Sequence, residues 1–399
     1  METSKRIQKI RTSATMALIG RAAMLKREGK DVKSFGAGEP DFDTPPHIAR
    51  AASDAIAAGF TKYTPADGIP ELKEAVAASI KSEYGKDAAP ENVIITHGGK
   101  QALYNFFVAY LNPGDEVIIP APYWVSYPEM ATIADGTPII VDTDEKHNFC
   151  LTAETLERSI TKRTRALILN SPSNPSGAAY SEEALKEIAN VLKDKEIVIV
   201  CDDIYHKIVY DGFVYRHLFQ VAPELDDRIL FVDGVAKAYS MTGFRIGWAC
   251  GDKEIIAAMK KVSEQSTSCP TSVSQRAALA AITGDQSVCK TMVEAFDRRR
   301  KLIVGELNKI EGVSCRMPEG AFYAFPKVSG LIGARRNGRV IEDDFTLSEM
   351  LLEEKLIAVV PGGAFGAPGF LRFSYAAGEG TIKEGLSRFA EFVSELSLK

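Results

Sequence analysis

From about residue 45 to 284 the chain alternates short apolar runs with amphipathic stretches. Runs at 93–96, 116–119, 138–141, 166–169, 197–201 and 229–232 have strand length and are rich in β-formers. The stretches between them, 101–111, 153–160 and 182–193 among them, carry helical periodicity. Strands that alternate with helices form a mainly parallel sheet covered on both faces, because each crossover lays its helix on the sheet. The ligand crevice of such a sheet lies beyond the carboxyl ends of its strands. Chemistry is therefore expected in the loops that follow these runs.

The pattern changes after Gly284. A charged helix containing Asp297-Arg298-Arg299-Arg300-Lys301 reads as a solvated face. Strand-like runs at 320–325 and 370–375 and a closing helix at 382–396 follow. This is α+β grammar and predicts a second, smaller domain. The segment up to residue 44, with a helix at 16–28, is expected to join it. The expected division is 45–284 for the large domain, and 1–44 plus 285–399 for the small one. Arg335-Arg336-Asn337-Gly338-Arg339 reads as a polar, mobile loop.

A formal charge of -5 offers no attraction to nucleic acid or an anionic membrane. No apolar stretch is long enough to span a bilayer. Residues 1–11 are charged and lack the apolar core of a signal peptide. The six cysteines are scattered without a C-x-x-C pair, and the five histidines are isolated. Reduced thiols in a cytoplasmic protein are expected, with no metal centre.

Lys237 lies in Asp233-Gly234-Val235-Ala236-Lys237, just after the run at 229–232, with Arg245 downstream in the same loop. A partly desolvated lysine becomes neutral and nucleophilic, so this is a candidate reactive amine; a solvated loop lysine is the alternative. Thr96-His97-Gly98-Gly99-Lys100-Gln101 is a strand, a glycine pair and a helix start, the form of a phosphate cradle. It is neither a Walker loop nor G-x-G-x-x-G, and a tight strand–helix turn explains the same residues.

Three more loops follow strand-like runs, and a lone arginine in a later apolar strand adds a fourth motif. Trp124, in Pro122-Tyr123-Trp124, suits stacking on a planar ring, or a place in the core. Asn174, in Asn170-Ser171-Pro172-Ser173-Asn174-Pro175-Ser176-Gly177, sits in a rigid loop that can aim its amide, though turn chemistry alone accounts for the prolines. Asp202, in Cys201-Asp202-Asp203-Ile204-Tyr205, ends a buried strand and needs a cation, such as a protonated ring nitrogen; a capping role is open to one of the two aspartates. Arg372, alone in Leu371-Arg372-Phe373-Ser374, suits bidentate binding of a carboxylate, from a ligand or from within the protein.

Taken together, these motifs resemble the pyridoxal-phosphate-dependent class I aminotransferases of the aspartate aminotransferase fold. The resemblance runs from Gly36-Ala37-Gly38-Glu39-Pro40-Asp41-Phe42 to Arg372 and includes Lys237 with Arg245, Asn174 with Pro175 and Gly177, and Asp202 with Tyr205. Gly-Gly-Lys-Gln is similar to the bacterial and plastid subgroup acting on aspartate and often on prephenate. The chain departs from the usual family pattern at Ala236, Asp203, Phe244 and Ser176.

The resemblance implies a fold type I transferase, α/β in its large domain, and pyridoxal 5'-phosphate as cofactor. It implies that Lys237 anchors the cofactor aldehyde and serves as the general base. Asp202 would pair with the ring nitrogen, Tyr205 and Asn174 with the ring 3-oxygen, and Trp124 with the ring face. Gly98, Gly99, Lys100 and Arg245 would hold the phosphate, and Tyr63 would reach it from the second subunit of a homodimer. Gly38 and Arg372, with Trp124 and Asn174, would orient the substrate, while Lys100 and Thr15 would select a distal carboxylate. The implied reaction moves an amino group between aspartate or glutamate and 2-oxoglutarate or oxaloacetate, with prephenate as a further acceptor. An elimination lyase on the same scaffold is the alternative.

Overall fold

Seven strands build the central sheet: β1 (Val93–Thr96), β2 (Glu116–Ala121), β3 (Thr137–Asp142), β4 (Thr164–Asn170), β5 (Val198–Asp202), β6 (Ile229–Gly234) and β7 (Gly247–Cys250). The computed structural model describes residues 2–397; Met1, Leu398 and Lys399, at the limits of the expected small domain, lie outside them. The spatial order is β1-β7-β6-β5-β4-β2-β3. β3, β2, β4, β5 and β6 pair in parallel, whereas β7 is antiparallel to both of its neighbours. The sequence reading had no strand at 247–250, because Gly247-Trp248-Ala249-Cys250 is short and opens on glycine. Five of the expected strands run further at their carboxyl ends, to Ala121, Asp142, Asn170, Asp202 and Gly234, and of these positions Asn170 and Asp202 meet the crevice.

Alternation along the strands divides their apolar side chains between two layers. Val117, Ile119, Ile168, Val198, Val200 and Val232 pack with Phe106, Phe107 and Met130 on one face. Ile118, Leu167, Leu169, Ile199, Cys201 and Phe231 pack with Leu72, Val76 and Ala277 on the other. Helices Gly99–Tyr110 and Lys253–Ser266 cover the first face. Pro46–Ala57, Pro70–Tyr84 and Ser272–Thr283 cover the second. Each fully buried Val, Leu, Ile or Phe contributes roughly 1.5–3 kcal/mol, which is why parallel strands read as almost unbroken apolar runs.

A further core gathers Phe35, Phe296, Ile303, Phe322, Leu347, Ile357, Phe373 and Phe389. It surrounds a three-stranded antiparallel sheet of β8 (Tyr323–Ala324), β9 (Val360–Pro361) and β10 (Leu371–Ser374), in the order β9-β10-β8. The N-terminal segment is stitched to this part by Lys33–Ser34, which pairs in parallel with Ile357–Ala358. The expected strand at 320–325 shrinks to Tyr323–Ala324, because Ala321 takes a positive φ of 57° and breaks the extended run.

Two surface expectations change. Arg300 is 1% exposed and not on a solvated face. It pairs with Asp211 and Asp297, donates to the Pro318 carbonyl at 2.7 Å and lies 4.4 Å over the Tyr210 ring. Its charge is tolerable in the core because each bond offsets desolvation. Residues 335–340 form a hairpin, Arg335–Arg336 against Arg339–Val340, around Asn337 and Gly338 at φ 51° and 80°. Arg336 reaches Glu354 and Glu395, and Arg339 reaches Glu349 and Glu353.

Among the described residues no helix is long and apolar enough to cross a membrane, and no cluster of His, Cys, Asp or Glu is placed to hold a metal ion.

Candidate active site

The carboxyl end of the sheet opens on a cavity of about 280 Å³. The antiparallel course of β7 explains how Lys237 and Arg245 both reach it. The chain leaves the sheet at Gly234, where β6 ends, and re-enters at Gly247, its register partner on β7. The whole loop between them stays at that edge.

Lys237 faces the cavity, and its Nζ donates to the Gly38 carbonyl. The side chain opens onto the cavity, yet protein atoms enclose the amine. Burial brings the ammonium down to about 8, Arg245 and Arg372 push the same way, and Glu39 and Asp202 oppose them. An amine near that value is available as a base close to neutral pH.

Gly98, at φ 84°, caps the helix that starts at Gly99. A Cβ at Gly98 would lie 2.7 Å from Arg245 Nη2, and one at Gly247 would collide with the Gly99 nitrogen. Bare backbone is therefore required at this helix N-terminus, whose first N–H groups are free to bind an anion. Arg245 is exposed, and its Nη1 donates to the Thr242 carbonyl at 2.8 Å. Lys100 lies 4.7 Å over the Trp124 ring, and its ammonium is pulled down by burial first and by Arg245 second.

Strand parity decides between the two aspartates. Val198 and Val200 face the layer that contains Tyr127, so Asp202 faces it too. The Tyr127 hydroxyl donates to Asp202 Oδ2 at 2.6 Å, and the Ile204 N–H lies 3.4 Å from Oδ1. Burial pushes the Asp202 carboxyl up to about 6, against the Tyr127 hydrogen bond, and Asp203 pushes it further. Asp203 instead sits 3.1 Å from His217 Nε2 and does not line the cavity. The Asn170 amide ties this corner together, donating to the Asp202 carbonyl at 2.7 Å and accepting from the Asn174 N–H at 2.9 Å.

Arg372 is 2% exposed, without a carboxylate partner among the described residues. Nη1 donates to the Asn174 side-chain oxygen at 2.9 Å and Nη2 to the Gly36 carbonyl at 2.7 Å. The guanidinium lies between the Tyr323 and Phe365 rings, 4.7 and 5.0 Å from their centroids. Its Nε has no partner. Tyr323 also meets Tyr205, hydroxyl to hydroxyl, at 2.7 Å.

Thr15 reaches the cavity from helix Ala14–Arg27, with its hydroxyl buried and unpartnered. Gly38, Gly98, Gly99, Lys100, Trp124, Asn174, Asp202, Tyr205, Lys237, Arg245 and Arg372 line the same cavity. Tyr63 does not; it is 91% exposed in the single chain. The sequence reading missed Tyr127, Asn170 and Tyr323, which also line it. Tyr127 is close behind Trp124 in Trp124-Val125-Ser126-Tyr127, and Asn170 opens the loop that carries Asn174, but neither position marks its side chain as inward-facing.

Lys100, Lys237, Arg245 and Arg372 thus surround one space, and none joins an ion pair with a carboxylate among the described residues. Such an arrangement suits a ligand with more than one anionic group.

Comparison with known proteins agrees with this chemistry. Residues 30–389 match the family of class I and II aminotransferases. An aspartate aminotransferase of Rhizobium meliloti strain 1021 is 48% identical over 398 residues, covering 99% of this chain and 97% of that protein. An aspartate/prephenate aminotransferase of Cereibacter sphaeroides is 48% identical over 396 residues, covering 99% of each. The crystal structure of a Rhizobium meliloti aspartate aminotransferase superposes with a TM-score of 0.96 at 48% identity, over 100% of both chains. The aspartate aminotransferase of Thermus thermophilus, solved with maleate, gives 0.91 at 43% identity, over 98% of this chain and 99% of that one. These relatives are aminotransferases and offer nothing to the elimination alternative. With its sheet, its lysine-centred cavity and these matches, the chain belongs to the class I and II aminotransferases.

Proposed function

We propose that the protein moves an amino group between an acidic amino acid, aspartate or glutamate, and a 2-oxo acid, 2-oxoglutarate or oxaloacetate, with pyridoxal 5'-phosphate as cofactor. The observation that carries this reading is the single cavity onto which Lys237, Asp202, Arg245 and Arg372 all open. The residues fit the cofactor. Asp202 is a buried carboxylate without a bonded cation, as a protonated ring nitrogen requires. Gly98 and Gly99 offer a helix N-terminus without side chains, beside Arg245, for its phosphate. Trp124 offers a ring face, and Tyr205 and Asn174 offer polar groups for the ring 3-oxygen.

When bound, the cofactor supplies a conjugated electron sink for the carbanion at the substrate Cα. The Lys237 amine, brought down by burial, takes the Cα proton at Nζ. Arg372 presents its guanidinium to the α-carboxylate, and Gly38 leaves room beside it. Lys100 and Thr15 line the same cavity and would read a distal carboxylate. The maleate of the Thermus structure, a dicarboxylate, supports that reading. The Cereibacter relative's name supports prephenate as a further acceptor.

Three broader assignments belong to the same reading. The protein works as a homodimer in which Tyr63 reaches the partner's phosphate site; a tyrosine left 91% exposed in the single chain supports it. Residues 45–284 form the cofactor domain, and 1–44 with 285–399 the small domain; the separate core around Phe296, Phe322 and Phe373 supports this division. The protein is cytoplasmic, in keeping with free cysteines throughout the described chain.

A half-reaction screen tests the function. Each amino acid is mixed with the cofactor-loaded protein, and the cofactor absorbance and the 2-oxo acid produced are followed. Aspartate and glutamate should convert the cofactor to its amine form. Ammonia release without a new amino acid would overturn the reading.

A further inference from the structure

The tightest polar contact to Asp202 comes from a residue that the motifs leave out. The Tyr127 hydroxyl donates to Asp202 Oδ2 at 2.6 Å, and the two residues are 2% and 6% exposed. Local structure holds the phenol in place. Tyr127 lies in the first turn of helix Ser126–Ile133, with its N–H bonded to the Trp124 carbonyl at 3.0 Å. Its ring stands edge-on to the Trp124 ring, 5.4 Å away at 83°. Parity along β5 turns Asp202 toward the same layer.

We propose that Tyr127 is a positioning residue for the reaction, its hydroxyl pinning one oxygen of Asp202 so that the carboxylate meets the cofactor ring nitrogen as an acceptor. Tyr127 is the only side chain among the described residues that donates a hydrogen bond to this carboxylate. Other titratable groups around Asp202 are Asp203 and Cys201 on its own strand end, Tyr205 after it, and Lys237 from the loop after β6. Of these only Lys237 favours the ionised carboxylate, and it acts through space. Burial keeps the Tyr127 phenol far above its ordinary range, so it acts as a donor and not as a base. A hydrogen bond to the charged form stabilises that form. Without it Asp202 takes up a proton more readily, and a neutral carboxyl cannot keep a ring nitrogen protonated.

The inference rests on the cofactor assignment above, but its first readout needs no cofactor. Aspartate is labelled with 13C at its carboxyl carbon, the Asp202 signal is assigned with Asp202→Asn, and the cofactor-free protein is titrated. Tyr127→Phe should raise the Asp202 midpoint by about one unit or more. Replacing Tyr127 with 2,3-difluorotyrosine, a stronger donor of similar shape, should lower it. A packing role alone predicts no such opposition. In the loaded enzyme Tyr127→Phe should lower kcat about tenfold. KM for the amino donor should hardly move, and the 15N signal of the cofactor ring should shift toward the unprotonated form. An unchanged Asp202 midpoint in Tyr127→Phe, or a shift of both variants in one direction, overturns the proposal. Should Tyr127→Phe fail to fold, the fluorinated variant decides alone: a midpoint that does not fall overturns it. If the wild-type protein binds no pyridoxal phosphate, the cofactor assignment fails, while the titration still judges the Tyr127–Asp202 pair.

Discussion

Arg372 Nη1 and the Asn174 side-chain oxygen meet at 2.9 Å, joining strand β10 to the loop after β4. Arginine has no acceptor, so this contact fixes which way the Asn174 amide points. Its oxygen is committed to Arg372, and its NH₂ is left as the donor available to a ligand. Arg372 keeps Nε unpartnered in turn. One bond thus orients two polar side chains that line the cavity.

Arg372→Lys should therefore cost more than a charge-conserving change suggests. Lysine keeps the charge but loses the planar fork and the Asn174 contact. The kcat/KM for aspartate should fall about 100-fold or more, roughly 3 kcal/mol. Cofactor binding, followed by absorbance, should be nearly unchanged. Steady-state kinetics on the two proteins decides this.

Asp202 carries a pH signature in the cofactor-free protein. Its native carboxyl is raised from 3.8 to about 6, so between those values the folded state binds a proton that the unfolded chain does not. Stability therefore falls as pH rises through that window, and the loss is complete above it. Asp202→Asn should stabilise the cofactor-free protein at pH 7.5 by on the order of 2 kcal/mol, and hardly at all below pH 4. Thermal melts at the two pH values measure this. In the loaded enzyme Asp202→Ala should cost several kcal/mol of transition-state stabilisation, roughly a thousandfold or more in kcat, and Asp203→Ala far less.

Borohydride reduction of the loaded protein, followed by peptide mapping, should place the pyridoxyl label on Lys237. Lys100 lines the same cavity and is also lowered by burial, so a label there would reverse the two roles. Lys237→Ala should retain phosphate-dependent cofactor binding and lose turnover.

Lys100→Ala should raise KM for aspartate and glutamate at least tenfold while sparing an uncharged amino donor, the pattern of a lost charge-assisted contact. Equal losses for all donors, with weaker cofactor binding, would assign Lys100 to the phosphate.

Tyr63 can be tested by mixing two inactive or weakened proteins. In a hybrid of Tyr63→Ala and Lys237→Ala subunits, one site combines an intact Lys237 with an intact Tyr63 from its neighbour. Activity should reappear on mixing and reach about half of wild type per hybrid dimer, as one site in two is whole. No recovery would place Tyr63 outside the neighbouring site.

Much of the site was legible because its residues stand where buried strands end. Asp202, Asn174, Trp124, Gly98 and Lys237 each follow an apolar run, and the carboxyl edge of a parallel sheet collects such positions. Arg300 shows the opposite case. In sequence it belongs to a charged run, and only Asp211, Asp297 and Pro318 around it make burial tolerable.

The chain by itself determined six of the seven strands of the central sheet, the two-layer cover of that sheet and the residue types at the strand ends. Those follow from periodicity over a few neighbouring residues, which is local. Tertiary structure decided which ends meet. The antiparallel β7 returns Arg245 to the edge that Lys237 leaves, the helix Ala14–Arg27 brings Thr15 to the cavity, and Tyr127 comes within 2.6 Å of Asp202. These contacts depend on strand order and packing between distant segments, and no run of neighbouring residues encodes them, so they exist only once the sheet has closed its layers.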